Sequence, residues 1–263
     1  MSSAPPLAIA TYRLVFATLI LLPFYINSGG PGRLLGAPRK DLLSLVGVGV
    51  VLALHFASWI TSLSFTSVAS SVIFVHVDPI FVAAVAHFVF KERVGRETLP
   101  GIVVAFIGAT IIAFGDSGMG ELNLYGDALA LVGAVMLGLY ILSGRRLRQS
   151  LDLVSYVTPV YATSAVVLTL GSLATRTPLA PYPPEEYALF LAIAVVPMIF
   201  GHTVYNWALR YIEASVVSIS LLGEPVGATI LAFLFLREAP SAMTILGGAI
   251  TLLGIYQCVK SSS

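Results

Sequence analysis

The chain has 263 residues, 57% of them hydrophobic and only 10% charged, with a mean hydropathy of +0.94. A soluble domain needs roughly a quarter of its residues charged to cover its surface, so water is not this chain's main solvent. The formal net charge of +1 excludes the strong basic field of a nucleic-acid binder, and one cysteine, Cys258, leaves no intramolecular disulfide or thiol metal framework.

The N-terminal Met-Ser-Ser-Ala-Pro-Pro lacks the basic start and cleavage site of a signal peptide, so nothing there reads as removable. A helix crossing a bilayer needs about 20 apolar residues. Nine segments qualify in chain order: Pro6–Ile26, Leu42–Phe65, Val68–Phe90, Leu99–Phe114, Leu124–Ser143, Leu153–Ala174, Tyr187–Leu209, Ala214–Leu236 and Ala242–Val259. Their apolar runs are continuous rather than alternating, which requires helices and not barrel strands. Short connections make consecutive segments antiparallel neighbours. The expected fold is therefore an all-α integral membrane protein, a polytopic helix bundle.

Basic residues orient it. Arg33, Arg39 and Lys40 follow segment one, Lys91, Arg93 and Arg96 follow segment three, and Arg145, Arg146 and Arg148 follow segment five. The even-numbered turns carry only Arg176 and Arg237, so the positive-inside rule puts the odd-numbered turns and the C-terminus in the cytoplasm.

An internal repeat runs through the chain. Pro79 matches Pro225, Glu92 matches Glu238, Gly101 matches Gly247 and Gly108 matches Gly254, all at an offset of 146 residues. Asp78-Pro79 and Glu224-Pro225 repeat an acid before a proline. The offset carries segment three onto segment eight, an odd number of crossings, so the two copies run through the bilayer in opposite directions. Residues 1–115 and 124–260 are the expected repeats. Inverted-topology repeats are characteristic of secondary transporters. A five-helix repeat predicts ten helices, and segment five lacks a partner before Pro6; an upstream helix is expected to be missing.

These residues resemble the drug/metabolite transporter superfamily, specifically its EamA-type ten-helix carriers. The likeness rests on Pro6-Leu7-Ala8-Ile9-Ala10-Thr11-Tyr12-Arg13 and on Ser67–Pro79 running to Phe90-Lys91-Glu92-Arg93. In the second half it rests on Trp207–Tyr211, Glu224-Pro225, Leu236-Arg237-Glu238 and the Gly247–Gly254 helix. The resemblance implies a carrier of amino acids, other metabolites or toxic compounds, with the first family helix lining the pathway.

Nine residues stand out as candidates for substrate binding or coupling. Ionisable groups near the middle of a membrane helix cost roughly 2.5–3.5 kcal/mol each, and Asp78 and Glu224 lie there beside their prolines. Each proline should kink its helix and free the carbonyl of Val75 or Leu221. The alternative is that both acids only shape helix packing, and the Glu224-Pro225 pair resembles a common structural feature of the family. His55, Ser58, Trp59 and Ser62 form one helical stripe, and His202, Tyr205 and Asn206 form another at nearly the equivalent place in the second half. Aromatic and hydrogen-bonding groups on facing helices suit a partly apolar organic solute, whereas packing alone is the plainer reading of any one of them. His76 and His55 titrate near neutrality when unperturbed and could carry a coupling proton. Arg13 could hold an anionic group of the substrate, pair with an acid, or snorkel to the outer interface. Asp78 and His55 are expected to border one wet mid-membrane cavity between the repeats. Glu92 and Glu238 read as architecture, and Gly101, Ala105, Ala109 and Ala113, with Gly247, Gly248 and Thr251, as close-packing residues.

No phosphate-binding loop, metal-ligand spacing or nucleophile elbow is present in the sequence, so no cofactor is expected and the chain does not read as an enzyme. The reading is a secondary transporter in the cell membrane, exporting a small organic metabolite by alternating access, with a proton as candidate coupling ion. An intramembrane enzyme acting on lipid and a passive channel are the alternatives.

Overall fold

The computed structural model describes residues 3–66, 68–89, 98–117, 124–231, 233–234 and 239–261, the side chains at 69, 113–117, 228 and 261 excepted. All regular structure among them is helical, as lipid demands of backbone that has no water to bond. The first half contains α1 (Pro6–Asn27), a short α2 (Gly30–Leu35), α3 (Arg39–Ser62), α4 (Val68–Val75), α5 (Asp78–Phe88) and α6 (Thr98–Ser117). There follow α7 (Leu124–Leu147), α8 (Leu153–Ala174), α9 (Pro184–Ile193), a π-helical stretch Ala194–Thr203, α10 (Val204–Ala208), α11 (Ala214–Leu221), α12 (Glu224–Leu231) and α13 (Ala242–Ser261). Eight helical stretches among the described residues are long and apolar enough to cross a membrane, and Thr98–Ile112 adds a shorter apolar one. The chain is a multi-pass, all-α membrane protein. Leu43, Val166, Leu170, Phe200 and Leu253 are among its large apolar side chains facing outward, which suits a bilayer as solvent.

Among the described residues, three of the nine segments depart from single continuous α-helices. Segment three is interrupted at His76-Val77 and segment eight at Leu222-Gly223, two breaks separated by the repeat offset of 146 residues. Each second half-helix opens on its acid-proline pair, so the proline occupies the first turn, where its missing N–H costs nothing. Segment seven widens into the π-helical stretch around Pro197. There Thr203 Oγ1 donates to the Met198 carbonyl five residues back, at 3.2 Å.

The helices gather into two compact units. One comprises Met1–Thr61 with Leu139–Tyr211, the other Ser62–Gly138 with Ile212–Ser263. Each unit combines segments from both halves of the sequence.

In the first unit α1 packs against α8, its equivalent at the repeat offset. Thr11 near the start of α1 meets Ser172 near the end of α8, their hydroxyls 3.1 Å apart, so the two helices run antiparallel. Ser164 Oγ donates to the Gly49 carbonyl at 2.7 Å and ties α8 to α3. Asp152 caps α8 by accepting from the Ser155 N–H at 3.0 Å, and it also accepts from Arg33. Burial works to raise the Asp152 carboxyl, but the bonds from Ser155 and the nearby Arg33 and Arg148 outweigh it and hold the group below the ordinary carboxylate range.

In the second unit α6 packs against α13, backbone close to backbone at the glycines of both helices. A Cβ on Gly108 would lie 2.4 Å from the Thr251 nitrogen, and one on Gly254 would lie 2.3 Å from the Ala105 nitrogen. Gly101 sits against Gly254, and Gly108 against Gly247. Adding 146 carries Gly101 onto Gly247 and Gly108 onto Gly254, so the interface is self-complementary, as a two-fold axis between inverted copies requires. Gly248 differs from the expected packing role: it faces Val226 of α12 at an ordinary 3.8 Å.

Candidate functional site

Six of the nine candidate residues come together in the first unit, carried by α1, α3, the π-helical stretch and α10. Arg13 is only 6% exposed, and its guanidinium lies over the Phe56 ring, 4.3 Å from the centroid. That burial removes the snorkelling alternative. A desolvated cation over an aromatic face gains about 2 kcal/mol, which offsets part of the cost of burying it. The polar stripes of segments two and seven meet: the His55 and His202 ring centroids are 6.3 Å apart, and Phe56 lies 5.1 Å from His202. Trp59 stacks on His55 at 5.7 Å and 18°.

The C-terminal wall is held by a hydrogen-bond chain. Tyr205 Oη bonds His202 Nδ1, and the Asn206 amide group donates to the His202 carbonyl and to Tyr140 Oη, the latter at 2.8 Å. Both amide hydrogens of Asn206 are thereby engaged. Its Oδ1 is buried with no hydrogen-bond partner among the described residues, an acceptor still unused. Tyr161 Oη lies 3.1 Å from Thr203 Oγ1, and Arg148 Nε donates to the Asn206 carbonyl at 3.0 Å, capping the end of α10.

The other three candidates lie in the second unit, at the two helix breaks. Asp78 is fully buried; Ser218 Oγ donates to its Oδ2, and its Oδ1 has no partner among the described residues. His76 Nδ1 lies 2.8 Å from the Val72 carbonyl, and its Nε2 faces Glu224 Oε2 at 3.8 Å. The Glu224 side chain is 59% exposed. His55 belongs to the first unit and Asp78 to the second.

Sequence reasoning missed Phe56, Tyr140, Tyr161, Asp127 and Ser218. Tyrosines inside apolar segments were the available signal, since a buried hydroxyl has to find a partner. Asp127 was legible as a buried acid in the first turn of α7; it accepts from Thr66 at 2.8 Å and Ser70 at 2.7 Å. Phe56 and Ser218 look like ordinary packing residues in sequence. Of the expected stripe, Ser58 spends its hydroxyl on the Leu54 carbonyl at 2.7 Å, and Ser62 meets Ser71 at 2.6 Å. Glu92 and Glu238 lie outside the described residues.

The model of the EamA-like transporter family matches residues 1–114 and 124–259. The chain is 28% identical over 265 residues to an uncharacterized transporter of Archaeoglobus fulgidus, covering 97% of this chain and 89% of that protein. It is 24% identical over 256 residues to the uncharacterized transporter YyaM of Bacillus subtilis, covering 95% and 83%. A protein of known crystal structure shares its fold, with a TM-score of 0.84 at 14% identity over 99% of this chain and 90% of the other. An inverted pair of glycine-packed helices, matched helix breaks and a family match over both halves lead to one assignment: the chain belongs to the EamA-like transporter family, within the drug/metabolite transporter superfamily.

Proposed function

We propose that this transporter is a secondary carrier that exports a small organic metabolite bearing a carboxylate, an amino acid or a similar solute, by alternating access. The observation that carries the reading is the buried Arg13 guanidinium beside the rings of Phe56, His55 and His202. A fixed planar cation fits a carboxylate bidentately. The surrounding rings suit an apolar body, and the spare Asn206 Oδ1 can accept from an amino group. Residues 1–115 and 124–260 serve as the two inverted repeats whose relative motion exposes the solute to either side.

Counterflow in sealed proteoliposomes tests this. Vesicles loaded with an unlabelled amino acid should take up its labelled form transiently and saturably. Flux that never saturates would favour a channel, and lipid turnover without flux an intramembrane enzyme; either defeats the proposal.

The charge asymmetry puts the odd-numbered turns and the C-terminus in the cytoplasm of a cell-membrane protein. Arg33 on the first turn bonds Asp152 on the fifth, which supports placing these two turns on one side. With Cys258 replaced by alanine, Arg39→Cys and Arg146→Cys should resist an impermeant thiol reagent applied to intact cells and react once the cells are opened. Ready labelling of intact cells reverses the orientation.

A further inference from the structure

We infer that the helix breaks of the second unit form a proton site, with Asp78 Oδ1 as the proton-binding atom, Ser218 as its fixed donor and the His76–Glu224 pair as its access route. The inference rests on the carrier reading for its purpose, but not for its chemistry.

Asp78 has no exposed surface, and its two oxygens differ: Oδ2 accepts from Ser218, while Oδ1 is buried with no partner among the described residues. An ionised carboxyl in low dielectric with one oxygen unbonded is costly, and a proton on that oxygen removes the charge. The serine bond fixes which oxygen remains available.

Access is built into the same breaks. The Val72 carbonyl can only accept, so His76 Nδ1 carries the hydrogen of the neutral ring, leaving the Nε2 lone pair toward Glu224. Glu224 is well exposed at a depth where an exposed acid requires water rather than lipid. A proton taken from water by the Glu224 carboxylate can pass to His76 Nε2, giving imidazolium against carboxylate. With no hydrogen bond from His76 to Asp78 Oδ1 among the described residues, onward transfer runs through water between them; it returns His76 to neutral, and reversal releases the proton. The groups that bear electrostatically on Asp78 are His76 and Glu224. Among the elements packed around α5, α11 has no ionisable side chain. Asp116 of α6 has its side chain outside the described set, and Asp127 of α7 is held by Thr66 and Ser70. The site lies wholly in the second unit, while the Arg13 cluster lies wholly in the first.

Infrared titration of the full chain in lipid reads the site without any substrate. The wild type should show the carbonyl band of a buried protonated carboxyl that appears as pH falls, and Asp78→Asn should lack it. Ser218→Ala keeps the acid but removes its donor, and should move the band to higher frequency. A band unchanged in both variants overturns the site, and Ser218→Ala decides alone if Asp78→Asn does not fold. In proteoliposomes, a one-unit pH step should concentrate an amino acid that supports counterflow up to about tenfold for one coupled proton. Asp78→Asn should abolish that accumulation and keep counterflow. Accumulation surviving in Asp78→Asn overturns the proton role. A titrating band without wild-type counterflow would defeat the carrier reading and leave the proton site standing.

Discussion

Gly254→Val should cost the protein about 3 kcal/mol or more and leave little folded material in detergent. The nearest atoms to a new Cβ are backbone, the Ala105 nitrogen at 2.3 Å and the Gly101 carbonyl oxygen at 2.6 Å, so no side chain can swing aside. The helices would have to separate by roughly 1 Å, and contacts along the whole α6–α13 seam weaken together, beyond the 1–3 kcal/mol usual for overpacking. Gly108→Val meets the same obstacle from the other helix. Gly171→Val is the control, because nothing lies within 4 Å of its Cβ position on α8. Exchanging glycine for β-branched valine in a helix interior gains only roughly 0.3–0.5 kcal/mol, so this variant should be neutral or slightly stabilised. Thermal unfolding followed by size-exclusion chromatography compares the three. Equal melting of Gly254→Val and Gly171→Val would show that the close seam is not a source of stability.

Arg13→Ala should lower kcat/KM for a carboxylate-bearing solute by about 10- to 100-fold, the usual worth of a charge-assisted bond in a desolvated site. Arg13→Lys keeps the charge but loses the planar fork, so it should retain only part of the activity. Removing the guanidinium also strips its contact with Phe56, and a general loss of folding would mimic a binding defect. A solute analogue with its carboxyl amidated separates the two: it gains nothing from Arg13, so its flux should fall little in Arg13→Ala. Equal losses for acid and amide mean Arg13 is structural. Full activity toward the acid in a folded variant removes it from recognition.

Much of this molecule was legible without coordinates. Membrane class and helix positions follow from local composition, because the length of an apolar run and the cost of charge in lipid act on neighbouring residues. The paired acid-proline positions were visible at the 146-residue offset, as were the glycines of the α6–α13 seam. Even the two polar stripes could be drawn from helical periodicity.

What the stripes face is another matter. Periodicity says which residues share a helix side, not which distant helix comes to meet it, so Phe56 under Arg13 and Tyr140 against Asn206 were out of reach. The kinks expected at Pro79 and Pro225 are present as short turns at His76-Val77 and Leu222-Gly223, where the Val77 N–H bonds the Phe74 carbonyl and the Gly223 N–H the Ser220 carbonyl, each three residues back. Proline in sequence marks where regular helix bonds are lost, and the structure shows which local turn bonds replace them. The division into two compact units was equally a tertiary outcome. Repeats are inherited along the chain, whereas compactness follows from which helices pack together, and α1 with α8 or α6 with α13 pair across the two halves. The sequence alone thus determined the membrane class, the helices and their duplication. The tertiary structure decided that Arg13, His55, Trp59, His202, Tyr205 and Asn206 gather in one unit while Asp78, His76 and Glu224 gather in the other, because long-range packing, unlike periodicity, is not a property of any local stretch.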